Sequence, residues 1–328
     1  MSLSRLIELN PSIKKSFPIL KPYLRSINGC KLGAEDWKRS ILVPSIGESY
    51  ERGLIGTAFD YVARAVLTKK LGRENVISEK RLIAENGLKA FAYMIDFRVP
   101  LRLTKNPIVN EERLKGREIV FKKAKEIQNF LQQEFNLAVE ARERFIDGDE
   151  NLSTLIQRSI FLARLDETYR SGSINIVDEY FRYMKEPTYF SQYYTIDSNE
   201  IADNIYKMTI VFQRIIEQQT WRKAILNPGF GNYSAILQGA DADFIVDDLL
   251  IDIKTTDKLR YKGDEFAQLF AYAAMARATS LKVNKVAIYY ARFGTFALIN
   301  VDDPVLGDGF LTSFLDIIMQ HKRVSNIT

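Results

Sequence analysis

The chain has one cysteine, Cys30, and one histidine, His321. A single thiol can form neither an intrachain disulfide nor a thiolate metal cluster, a usage that fits a reducing, cytoplasmic setting. A single imidazole leaves Ser-His-Asp catalysis, Cys-His catalysis and His-rich metal sites with little to work with. His321 stands in FLDIIMQHKR beside Lys322 and Arg323, where it reads as a helix-end residue. No apolar run approaches the ~20 residues that cross a bilayer. The opening MSLSRLIELNPSIKKSF lacks the apolar stretch and small-residue cleavage site of a signal peptide. Any enzymatic chemistry is therefore expected from carboxylates, lysine and a hard metal ion.

What is present is ordinary for a globular protein: 328 residues, 46% hydrophobic and 27% charged. That length buries a sizeable core, in one large domain or two smaller ones. The net charge of +5 permits a polyanionic partner without requiring one.

Residues 1–47 read as an N-terminal segment of short helices broken by Pro11, Pro18, Pro22 and Pro44. In residues 48–72, Leu54, Ile55, Ala58, Tyr61, Val62, Ala65 and Val66 recur at helical spacing, and Gly72 is a reasonable stop. Residues 48–105 are assigned to the first part of an α/β core and 106–228 to a helical insertion. The insertion is expected to hold one or two helices within 111–145, a helix over 151–170 capped by Ser153, and one over 198–226 capped by Ser198. Pro228, Gly229 and Gly231 are expected to end the last of these. Residues 229–328 read as the second part of the core: a strand in SAILQGADADFIV, a strand in LLIDIKTT, a helix over 265–278, and strands over 285–293 and 295–301.

The informative stretch is GADADFIVDDLLIDIKTT, residues 239–256. Asp247 and Asp248 are poor strand formers between two β-rich runs and read as a hairpin tip. With a two-residue turn, 246 faces 249 and Asp243 comes opposite Asp252. Period-2 alternation then gathers Asp241, Asp243, Asp252 and Lys254 on one surface, leaving the other face apolar. Facing carboxylates repel unless a positive charge lies between them. A divalent ion resolves this, and oxygen-only ligands favour Mg²⁺ or Mn²⁺. Such an ion acidifies a bound water and steadies charge on a phosphate oxygen, while Lys254 would orient or activate that water or neutralise the phosphate. The same residues also read as a surface hairpin with a cross-strand salt bridge. A calcium loop is excluded, because the sixth position of DADFIVDD is Val246 and not glycine.

The pattern Asp243, then Asp252-Ile253-Lys254 on a hairpin, resembles the PD-(D/E)XK nuclease superfamily. Gln268 and Tyr272 of QLFAY, one helical turn apart, resemble the Gln-x-x-x-Tyr element of its RecB-type branch. The resemblance covers roughly a third of the chain. It implies a restriction-endonuclease-like core: a mixed central sheet flanked by helices, here with the large helical insertion. It also implies a Mg²⁺- or Mn²⁺-dependent deoxyribonuclease that leaves a 5′-phosphate and a 3′-hydroxyl. Asp243 and Asp252 would hold metal, with Asp241 the alternative to Asp243, Lys254 would assist the nucleophile and Gln268 would support the site. A first-helix acid often completes the metal shell in the family; Glu51 is the first choice and Asp60 the second. Tyr272, Lys258 and Arg260 are candidate substrate contacts, and Lys262 continues the alternation. The basic run RLKGREIVFKKAKEIQ reads either as a DNA-tracking surface or as a solvated helix face. The insertion would supply a substrate groove or a homo-oligomer contact. Trp221 and Tyr233 read as base-stacking residues or, more simply, as core. The alternative function is a nucleic-acid-binding or assembly protein on a nuclease-like scaffold that no longer cuts.

Overall fold

Six strands, β1 (Val76–Ser78), β2 (Ala224–Leu226), β3 (Phe244–Val246), β4 (Leu249–Lys254), β5 (Lys285–Tyr290) and β6 (Thr295–Asn300), form one mixed sheet in that order. Pairs β1–β2 and β4–β5 are parallel, and the other three are antiparallel. The computed structural model describes residues 3, 7, 17, 19–47, 49–78, 82–98, 107–171, 199–237, 242–307 and 309–325, with eight α-helices among them. These fall into two units: Met1–Ser45, Lys70–Glu79 and Lys207–Thr328 make the first; Ile46–Lys69 and Lys80–Tyr206 make the second.

The first unit holds the sheet. β3 and β4 carry the β-prone runs FIV and LLI, joined through Asp247 and Asp248, with Val246 opposite Leu249 as the turn predicts. Asp247 adopts φ +53°, which a short polar side chain tolerates. Its carboxylate accepts from the backbone N–H groups of Arg222 (3.2 Å) and Lys223 (3.0 Å), stitching the turn to the chain entering β2.

Two expectations are corrected here. The helix expected over 198–226 ends at Glu217 (α5, Asn199–Glu217), and Ala224–Leu226 is β2, recruited by ladders on both sides that override its local preference. The strand expected over SAILQGADADFIV pairs only from Phe244, and Asn232–Ile236 is a short helix, α6.

Both sheet faces are covered. On one, Phe212 of α5 meets Phe244 and Tyr289 at ring distances of 6.4 and 5.3 Å. On the other, Ile245, Leu250, Val286 and Ile288 share a core with Phe266, Leu269 and Phe270 of α7 (Gly263–Ala278). Phe270 meets Phe310 of α8 (Phe310–Ser325) edge to face at 5.5 Å. α7 is the crossover from β4 to parallel β5, a connection that needs a helix on the sheet.

The second unit is helical: α1 (Ser49–Leu71) up to Lys69, then α2 (Ile83–Arg98), α3 (Pro107–Asp147) and α4 (Leu152–Ser171). α3 is one helix of 41 residues. Asn151 caps α4 instead of the expected Ser153, its Oδ1 accepting from Thr154 N–H at 2.9 Å. The expected cap Ser198 lies outside the described residues. α2 and α4 touch closely at Gly87, where an added Cβ would stand 2.0 Å from the Leu165 carbonyl oxygen. Gly87→Ala is therefore expected to lower unfolding free energy by about 2 kcal/mol, overpacking outweighing the ~1 kcal/mol gain in helix propensity. Urea denaturation checks this, and a raised midpoint would contradict the close approach.

Candidate active site

The hairpin and α7 build the site. Along β4, Leu250, Asp252 and Lys254 point to the same face, the one α7 covers. The apolar row of the core thus turns polar toward the end of the strand. The expected division into one apolar and one charged face is corrected: the charges continue a core row. β4 lies between β3 and β5, so Asp252 is only 8% exposed.

Asp243 sits one residue before β3, on the same side as Ile245, and the register extended by one step sets it beside Asp252. Its Oδ2 accepts from the Ile253 backbone N–H at 2.6 Å, while its carbonyl accepts from Asn227 N–H at 2.8 Å. Lys254 Nζ stands 2.7 Å from the enclosed Asp252 Oδ2, an ion pair that gives this oxygen a positive neighbour. Burial disfavours the Lys254 ammonium, but the carboxylate of Asp252, with Asp243 and Glu265 beyond it, outweighs burial and pushes its pKa up. Lys254 is therefore a fixed cation at working pH, suited to steadying negative charge and not to accepting a proton.

Above the hairpin, Gln268 Nε2 donates to Tyr272 Oη at 2.6 Å. Tyr272 also stacks on Phe230, with ring centres 5.7 Å apart. Burial pushes the Tyr272 phenol up, and the charges of Asp252 and Asp243 push it further. The hydroxyl accepts from Gln268, so its own proton remains available to donate toward the anionic side of the site.

Sequence reasoning missed Glu265. It stands at 265, 268, 272 spacing with Gln268 and Tyr272, on one stripe of α7, and that spacing was the available signal. Its Oε1 accepts from Lys262 Nζ at 2.7 Å, and its Oε2 is enclosed with no hydrogen-bond partner among the described residues. Of the alternating cations, Lys258 and Arg260 are exposed, whereas Lys262 is held by Glu265.

Asp241 lies outside the described residues. Glu51 and Asp60 belong to α1 in the second unit. The Glu51 carboxylate folds back against Gly47. Both oxygens of Asp60 accept from Arg64, one of them at 2.9 Å, so serving a metal would mean breaking that pair. Trp221 packs edge to face on Phe296 at 6.3 Å, and Tyr233 packs against the α7 core. Cys30 is exposed and free, and His321 lies toward the end of α8. No described helix is long and apolar enough to cross a membrane.

The donor set bears on a metal. Asp243 and Asp252 offer hard oxygens from neighbouring strands, and Asp252 Oδ2 already faces a cation, the Lys254 ammonium. Among the described residues no three carboxylate, histidine or cysteine side chains cluster as a metal site. A two-aspartate set fits Mg²⁺, which usually keeps several waters and uses one or two carboxylates plus substrate oxygens. No family model matches the chain, and neither a curated protein nor a solved structure matches it.

Proposed function

We propose that this chain is a Mg²⁺- or Mn²⁺-dependent nuclease that hydrolyses DNA phosphodiester bonds, built on a restriction-endonuclease-like core. The observation that carries the reading is the convergence of Asp243, Asp252 and cationic Lys254 at the end of a buried hairpin, beneath the Gln268–Tyr272 pair of α7. The sheet supports it: β2, β3 and β4 run antiparallel and α7 then crosses to a parallel β5, a mixed sheet flanked by helices of the kind the resemblance implies.

Asp243 and Asp252 would hold the cation, which supplies an acidified water and a Lewis acid for a phosphate oxygen. Lys254 steadies the charge on the phosphoryl oxygens as water attacks the phosphorus. The attacking oxygen bonds to phosphorus, the bond to the 3′ oxygen breaks, and that oxygen takes up a proton to leave a 5′-phosphate and a 3′-hydroxyl. Tyr272 donates to the anionic centre, and Gln268 fixes its ring. Exposed Lys258 and Arg260 contact the phosphate backbone, and Lys258→Ala with Arg260→Ala is expected to weaken DNA binding and flatten its salt dependence.

The test is incubation of linear, circular and single-stranded DNA with Mg²⁺ or Mn²⁺, beside the Lys254→Ala protein. Cleavage by the wild type alone supports the reading, and equal degradation by both assigns it to a contaminant. A second reading, a nucleic-acid-binding or assembly protein that does not cut, draws on Lys254 being locked to Asp252 and Asp243 Oδ2 being taken by Ile253. Under it, Mn²⁺ leaves the melting temperature unchanged.

A further inference from the structure

We infer that Glu265 is the second counter-charge of Lys254: the ammonium passes from Asp252 to Glu265 when Asp252 ligates a divalent cation. This rests on the metal-dependent reading above and assigns a positioning role within that site.

The need arises from one carboxylate with two claims on it. Lys254 Nζ lies 2.7 Å from Asp252 Oδ2, the oxygen the proposed chemistry gives to a cation. A dication there repels the ammonium, and the Lys254 side chain is only 28% exposed, so water alone does not compensate it. A displaced Lys254 requires an anion within reach inside the protein.

Glu265 meets that requirement. It lies on the first turn of the helix that covers Lys254's face of the sheet, on one stripe with Gln268 and Tyr272. Lys262 engages only its Oε1, at 2.7 Å. Oε2 is enclosed without a hydrogen-bond partner among the described residues, an arrangement that is costly unless some state of the protein satisfies it. The Glu265 charge also reaches Lys254 and Tyr290, the residue paired with Lys254 across β4–β5, adding to the upward shift of each. Asp252 and Glu265 thus bracket one lysine, and the cation decides which of them holds it.

The test is Mn²⁺ affinity of the full-length chain by titration calorimetry, without DNA, for wild type, Glu265→Gln, Lys254→Met and the double variant. Glu265→Gln is expected to weaken Mn²⁺ binding about tenfold, the size of coupling between neighbouring charges. Lys254→Met should then raise affinity about tenfold more in the Glu265→Gln background than in the wild type, because the stranded ammonium is what Mn²⁺ must expel. Lys262→Met, which keeps Glu265 and removes its competing cation, should tighten binding and covers the case of a poorly folded Glu265→Gln protein. Strictly additive effects of the first two changes, or no tightening from Lys262→Met, would overturn the exchange while leaving the metal site standing. A wild type that binds no Mn²⁺ removes the metal reading itself, and this inference with it.

Discussion

On the nuclease reading proposed above, Asp252→Asn is expected to slow DNA hydrolysis by roughly 10³-fold or more and to erase the rise in melting temperature that Mn²⁺ should give the wild type. The change is isosteric, so it removes charge with little change of shape in a residue 8% exposed between two paired strands. The amide cannot supply the negative charge that the enclosed Oδ2 brings to the site. Lys254 also loses its ion-pair partner at 2.7 Å, so the remaining cation opposes a metal even at Asp243. Asp243→Asn should be milder in its effect on folding, since an amide oxygen still accepts from Ile253 N–H, yet comparable on metal binding. Single-turnover cleavage of linear duplex and melting with and without Mn²⁺ read both effects. Activity of the Asp252→Asn protein within tenfold of the wild type would sink the assignment of this residue.

The hairpin was legible because two short-range signals agreed. A pair of aspartates between FIV and LLI marks the turn, and the turn sets a register that brings Asp243 toward Asp252 and aligns Lys254 with Asp252. What lies above that register was not legible. Alternation says that Leu250, Asp252 and Lys254 share a face; it does not say that α7 covers it, because the charges at 252 and 254 make that face read as a solvated surface. β2 was hidden for a related reason: AIL is three residues with no strand signal of its own, and it becomes a strand only because β1 and β3 offer ladders on either side. Glu265 could have been found from its stripe with Gln268 and Tyr272, but a first-turn glutamate has an ordinary helix-dipole explanation that conceals it. The Asp60–Arg64 pair was readable from its i, i+4 spacing, and it weighs against Asp60 as a ligand.

No local pattern predicts that Arg292 lies fully buried, at 0% exposure, in the three-residue turn after β5, yet the end of β4 depends on it. Its Nε donates to the Thr255 carbonyl at 2.7 Å, and its Nη1 to the carbonyls of Val43 (3.2 Å) and Pro44 (2.9 Å). The backbone N–H groups of Leu42 and Val43 return to the Arg292 carbonyl at 2.9 and 3.1 Å. One planar side chain therefore ties the N-terminal segment to the residue directly after Lys254, and the Ser45 hydroxyl, 3.2 Å from Asp257 Oδ2, extends the tie into the loop that carries Lys258 and Arg260. Arg292→Met keeps most of the volume and strands three carbonyls, at about 1–3 kcal/mol for each left buried without a donor. The buried cation's own desolvation cost is recovered and offsets part of this, so the expected loss is about 4 kcal/mol, large against the 5–15 kcal/mol of an ordinary domain. Arg292→Lys should recover little, because a single ammonium cannot match a fork that spans two chain segments. Urea denaturation gives the loss, and hydrogen exchange locates it: the amides of residues 42, 43, 45 and 253–257 should exchange faster before the rest of the sheet does. A midpoint shift worth less than about 0.5 kcal/mol, the scale of a surface substitution, would mean that β4 and Lys254 are held in place without this clamp.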